Sequence, residues 1–195
     1  VMEFAKRRIE ADGEISARDL SMAIAREARY IAPGGCKDDI SCVVAYLRHP
    51  RVMRVLTGPP YYRENDAEYA RQALLGADHT VICGGTSTNI IERELGVKVR
   101  VSLADIRKSG GLPPVGNIEG IGIATEGILT LSRVLSAIEE MRPPENEPQA
   151  VKMILERMIR HDRIEFVIGT KVNESHQDPG IPQELELRRS VIRRM

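Results

Sequence analysis

Tryptophan is absent from this 195-residue chain, and aromatic residues make up only 4% of it. A core must therefore be built from Ile, Leu, Val, Met and Ala, and a hydrophobic content of 42% is enough for one. An excess of either charge is missing too. The 28 basic and 28 acidic side chains cancel, which gives no reason to expect a nucleic-acid or membrane-surface protein. Basic residues are not interleaved with aromatics, as a base-stacking platform requires. No apolar run approaches the ~20 residues that span a bilayer, and no signal peptide is visible. Cysteine is scarce and odd in number, at Cys36, Cys42 and Cys83. That spacing describes neither a disulfide framework nor a zinc site, and a cytoplasmic location is expected.

What is present is most concentrated in Gly34-Gly35-Cys36-Lys37-Asp38-Asp39-Ile40-Ser41-Cys42-Val43-Val44-Ala45-Tyr46-Leu47. Two adjacent carboxylates stand at the mouth of a nearly continuous apolar stretch, just after a Pro-Gly-Gly break. A carboxylate at a strand end can reach a hard cation without being buried unpaired. Before the run, Ser16 and Asp19 form a helix start with Ile15 as a staple, and Leu20, Ile24, Ala28 and Ile31 follow at helical spacing. After the carboxylates, residues 39–48 read as an interior strand, apolar on both faces.

This helix, turn and strand resemble the last signature motif of the metal-dependent (PPM family) Ser/Thr protein phosphatases, in the branch typified by the bacterial sporulation phosphatase. The resemblance implies that Asp38 is a metal ligand and that Mn²⁺ or Mg²⁺ is the cofactor of the intact parent. It implies a phosphoprotein substrate, hydrolysed at phosphoserine or phosphothreonine by a water activated between two metal ions. The family's first ligand sits upstream in an Asp-Gly-x-Gly strand. This chain offers Asp12-Gly13-Glu14-Ile15, without a second glycine, and it reads as a turn. A hard divalent cation needs ~6 oxygen ligands, so the chain alone is expected to bind no metal tightly and to be inactive. Its start at Val1 fits a piece of a longer protein. Residues 1–49 are thus expected to be the C-terminal remnant of a phosphatase β-sandwich, with its strand left to pair elsewhere, as in a homodimer.

His49-Pro50 marks the expected boundary, because proline breaks a strand ladder. Beyond it, strands are expected at residues 51–57, 80–83, 97–103, 121–125 and 164–169. Helices are expected after Asn65, at 86–95, from Ile128 to Pro143, after Pro148 and from Pro182. This alternation predicts an α/β fold with a mostly parallel, Rossmann-like sheet and helices on both faces over residues 50–195. Leu56-Thr57-Gly58-Pro59-Pro60, Cys83-Gly84-Gly85-Thr86, Thr125-Glu126-Gly127-Ile128-Leu129 and His176-Gln177-Asp178-Pro179 resemble an accessory domain that follows the phosphatase motif in some bacterial members of that branch.

Four predicted strands of this domain end in glycine and hydroxyl residues. They give Thr57, Gly58, Gly84, Gly85, Thr86, Thr125, Gly127, Gly169 and Thr170 as candidate ligand-binding residues. Ligands of open α/β sheets sit outside the carboxyl ends of strands, so these turns are expected to converge on one cleft. The turn at Cys83-Gly84-Gly85-Thr86 is either an anion seat at a helix start or a plain cap. Glu126 would repel a highly charged anion, which favours a small polar or singly phosphorylated metabolite. Arg188 reads as the partner of Glu184 in a helix ion pair. The rival functions are a phosphatase C-terminal portion, a sensory or docking domain for a metabolite or protein partner, and an independent enzyme of small phosphorylated substrates.

Overall fold

The computed structural model describes residues 1–32, 34–101, 112–171 and 182–195. Pro33, the Gly110-Gly111 loop, the end of the strand expected at 97–103 and the His176-Gln177-Asp178-Pro179 stretch lie outside them. The chain divides into two compact units, Val1–His49 and Pro50–Met195.

The first unit holds two helices, α1 (Met2–Ala11) and α2 (Ala17–Tyr30), which pack on each other. Ser16 caps α2 by accepting the Asp19 amide proton at 2.9 Å. The Ser16 hydroxyl also donates to the Asp19 carboxylate at 2.7 Å, a side-chain variant of the expected capping box. Asp12 turns the chain between the helices by accepting from the Glu14 amide at 3.0 Å. The strand expected over residues 39–48 does not form. Those residues are without regular structure, and Val43 and Leu47 are 93% and 95% exposed. A strand exists only by pairing its backbone with a neighbour, and no strand is found among the described residues of this unit.

The second unit is an α/β fold around a mixed six-stranded sheet of order β3-β4-β5-β2-β1-β6. The strands are β1 (Val52–Thr57), β2 (His79–Cys83), β3 (Val99–Arg100), β4 (Gly116–Ile118), β5 (Gly122–Thr125) and β6 (Arg163–Ile168). β5, β2, β1 and β6 run parallel, and β4 pairs antiparallel with both β3 and β5. The helices are α3 (Asp66–Arg71), α4 (Gly85–Leu95), α5 (Ile128–Glu139), α6 (Gln149–Arg160) and α7 (Pro182–Arg194). No helix among the described residues is long and apolar enough to cross a membrane.

Alternation along the strands feeds two cores. Met53, Val55, Val81 and Ile123 face Leu131, Val134, Val151, Ile154 and Val191 of α5, α6 and α7. Leu56, Ile82 and Ala124 face Tyr69, Ala70, Ile90 and Ile91 of α3 and α4. Helices therefore cover both faces of the sheet, and its interior strands read as continuous apolar runs.

Differences from the sequence reading are local. α3 is only six residues long, and Asn65 makes no side-chain cap. Glu68 instead binds its own helix through Arg71 and Gln72, at 2.9 and 3.0 Å. β4 was not expected. It forms because Gly120 and Gly122, both at positive φ, allow a tight return into β5.

Candidate functional site

The parallel arrangement brings the carboxyl ends of β1, β2 and β5 side by side. A cavity of about 240 Å³ opens there. β1 contributes Thr57 and Gly58, β2 leads into Gly84, Gly85, Thr86 and Ser87, and β5 leads into Glu126 and Gly127. Arg188 of α7 lines the same space. Six of the nine residues expected in a ligand cleft, Thr57, Gly58, Gly84, Gly85, Thr86 and Gly127, thus share one cavity wall.

The other three do not line it. The Thr125 hydroxyl donates to the Glu126 carbonyl at 3.0 Å and sits 3.4 Å from Cys83 Sγ. Gly169 is packed against the carbonyls of Gly58 and Pro59. Its amide donates to the Thr57 carbonyl at 2.9 Å. Thr170 is exposed.

Two helices begin at this cavity. The Gly84 amide donates across to the Thr125 carbonyl at 2.9 Å, and Gly84 takes φ +115°, which only glycine adopts without strain. α4 has no side-chain cap. Its first-turn amides, Gly85 and Ser87 among them, cannot be satisfied within the helix. α5 begins close by, and a side chain at Gly127 would crowd the Gly84 Cα at 3.3 Å. Here the Glu126 carboxylate folds back to accept the Thr130 amide proton at 3.2 Å, holding its charge at the positive helix end.

Polar side chains sit around the α4 start. The Ser87 Oγ and the Tyr69 hydroxyl are buried beside each other, with no third hydrogen-bond partner among the described residues. Burial raises the Tyr69 pKa far above its usual value, and the adjacent Ser87 hydroxyl offsets this in part. Arg188 is only 6% exposed. Its Nη1 reaches the Gly169 carbonyl at 3.4 Å, and the guanidinium lies over Gly58. Arg188 is therefore turned inward, and the Glu184 side chain expected to pair with it lies outside the described residues.

Cys83 also lines the cavity, but burial pushes its thiol up to about 12, with the Thr125 hydroxyl lowering it and the Glu126 charge raising it further. Such a thiol stays protonated at neutral pH and is no nucleophile. His79 and His161 lie 3.0 Å apart between ring nitrogens. They stand at the amino end of the sheet, away from the cavity, since β2 begins at His79 and ends at Cys83.

Asp38 lies in the other unit. It is exposed, and its Oδ1 accepts the Asp39 amide proton at 2.9 Å. A surface hollow places it beside Asp39, Arg26 and Arg29. Among the described residues no group of three or more His, Cys, Asp or Glu is arranged to hold a metal ion. Compared with protein-family models, curated proteins and solved structures, the chain matches none.

Proposed function

We propose that Pro50–Met195 is a domain that binds a small polar or phosphorylated metabolite in the cavity at the carboxyl ends of its parallel strands. The observation that carries this reading is the convergence of three separate strand-end turns, with a buried arginine, on one space. The parallel order β5-β2-β1-β6 supports a Rossmann-like description, being the order of half a doubly wound sheet. The test is a thermal-shift screen of metabolites on the whole chain, repeated with Gly85→Val. A ligand that raises the melting temperature of the wild type but not of the variant supports the reading. Silence across the screen sinks it.

A second reading concerns Val1–His49. We propose that it is the tail of a metal-dependent Ser/Thr phosphatase, with Asp38 one of the ligands of Mn²⁺ or Mg²⁺ in the parent. The exposed, unpaired apolar residues after Asp38-Asp39 favour it, because such a run needs a neighbouring sheet that this unit does not supply. The metabolite-binding domain would then be the regulatory part of that enzyme, and the phosphoprotein its substrate. Mn²⁺-dependent hydrolysis of a phosphate ester by the longer parent should fall by at least ~10²-fold on Asp38→Ala, since metal charge contributes several kcal/mol. A parent indifferent to that substitution would remove this reading.

A further inference from the structure

His79 and His161 meet at the amino end of the sheet, apart from the cavity, with Nδ1 of the first 3.0 Å from Nε2 of the second. His79 opens β2, and His161 directly follows α6. Each is anchored by the aspartate beside it. The Asp78 amide donates to the Val52 carbonyl at 2.8 Å, and the Asp78 carboxylate accepts the Val52 amide proton at 2.7 Å. The Asp162 amide donates to the Arg51 carbonyl at 3.0 Å, and the Asp162 carboxylate accepts the Arg51 amide proton at 2.8 Å. Both histidines are thereby tied to the start of β1, from its two flanking strands.

The proton positions follow from one further contact. His161 Nδ1 stands 2.5 Å from the Arg157 carbonyl oxygen. A carbonyl only accepts, so this nitrogen carries the proton of the neutral ring, and Nε2 keeps a bare lone pair. A backbone carbonyl that fixes one ring nitrogen is the usual support of a metal-binding imidazole. Without a cation, His79 Nδ1–H donates to that lone pair. A cation that replaces this proton takes a lone pair from each nitrogen, and the proton passes to water or to His79 Nε2.

Distance selects the cation. Imidazole nitrogens bind a metal at about 2.0–2.1 Å, so two of them are about 2.9 Å apart at a right angle and about 3.3 Å apart at a tetrahedral one. The observed 3.0 Å fits neighbouring corners of a tetragonal shell, which Cu²⁺ and Ni²⁺ prefer. Nearby charges partly favour a cation. The Asp78 carboxylate interacts with both rings, and the carboxyl end of α6 is the negative end of that helix. Arg157 and Arg160 in its last turn oppose. No third side chain among the described residues completes a set of three, so water fills the remaining positions.

We infer that His79 Nδ1 and His161 Nε2 form a two-imidazole clip for one late transition-metal cation, Ni²⁺ or Cu²⁺, which fastens the start of β2 to the end of α6. Nitrogen donors discriminate against Mg²⁺, and this separates the clip from the oxygen-ligand chemistry proposed for Asp38.

The test is a calorimetric and NMR titration of the whole chain with Ni²⁺, without a polyhistidine tag. Cys36→Ser and Cys42→Ser are included so that these thiols, neither of them buried, do not compete. One Ni²⁺ should bind per chain with micromolar affinity, and its paramagnetism should broaden the amide signals of Asp78, His79, His161 and Asp162 before others. His79→Ala and His161→Ala should each weaken binding about tenfold or more, as the loss of even an outer-shell partner does. His79 is exposed, so its variant should keep the circular dichroism spectrum and decides the result if His161→Ala misfolds. A large excess of Mg²⁺ should not compete. The inference is overturned if Ni²⁺ leaves these amides sharp, if binding survives His79→Ala undiminished, or if Mg²⁺ displaces Ni²⁺. In the first of these cases the two rings share a hydrogen bond and nothing more.

Discussion

Gly169 and Gly58 meet backbone to backbone, with no room for a side chain between Gly169 and the carbonyl oxygens of Gly58 and Pro59. The contact is pinned by the Gly169 amide on the Thr57 carbonyl at 2.9 Å and by the Lys171 amide on the Pro59 carbonyl at 3.1 Å. It closes the crevice between the ends of β1 and β6, which would otherwise be the natural ligand site of such a sheet. The opening lies instead at the β1, β2 and β5 ends, where the Arg188 guanidinium covers Gly58.

Gly169→Ala should therefore be costly. The added methyl group can be housed only by moving the strand ends apart, and overpacking of this kind costs about 1–3 kcal/mol. Urea unfolding should show a lower midpoint at unchanged slope. An unaffected midpoint would mean that the two turns are not held together as described.

Gly85→Val is the contrasting case. Gly85 is not at a positive φ, and its Cβ would point into open space, so stability should change by less than about 1 kcal/mol. Any ligand-induced rise in melting temperature should nevertheless vanish. Loss of both stability and ligand response would make the variant a folding defect and not a block.

Acid should weaken the sheet at defined points. The Asp78 carboxylate is held below its usual range first by the hydrogen bond it accepts from the Val52 amide, which outweighs the opposing effect of burial, with lesser help from His161 and His79. The Glu165 carboxylate is held down first by its hydrogen bond with Arg54. Both folded-state values lie below the unfolded ones of 3.8 and 4.5. Their stabilisation is therefore fully present above about pH 5 and is lost as pH falls through the depressed values. Urea midpoints measured from pH 7 down to pH 3 should decline through that window. The decline should be shallower in Asp78→Asn, which has no carboxylate to protonate there.

The exposed Val43 and Leu47 predict self-association, because an apolar stretch with free backbone groups invites strand pairing between copies. Light scattering should report dimers or larger species that dissociate on the double substitution Val43→Lys, Leu47→Lys. A monomer at all concentrations would refute this.

Much of the fold was legible in the sequence because its signals are local. The apolar runs of β1, β2 and β6 and the heptad-like spacing of α5 and α6 need no knowledge of partners. Gly96 at φ +66° ends α4 where its sequence position says it should. The strand expected at 39–48 misled for the opposite reason. An apolar run shows that a segment is suited to burial but does not supply the sheet that would bury it. β4 has only three residues, too few for a period to register. The cavity's glycines could be read from their turns, whereas Arg188 could not. Its neighbours along α7 suggest a solvated face, and the carbonyl it reaches belongs to Gly169, a residue outside its own helix.

The pieces that surround the cavity come from positions far apart in the chain, at Thr57, Gly84, Glu126 and Arg188. Bringing them together requires closing several long loops, whose entropic cost is met only by contacts formed afterwards. The cavity is therefore complete only when the ends of β1, β2 and β5 and the helix α7 are all in place. A chain in which α7 is undocked would keep most of its helical signal in circular dichroism and yet lose its ligand response. Ligand response thus reports conformational completeness more stringently than secondary-structure content does.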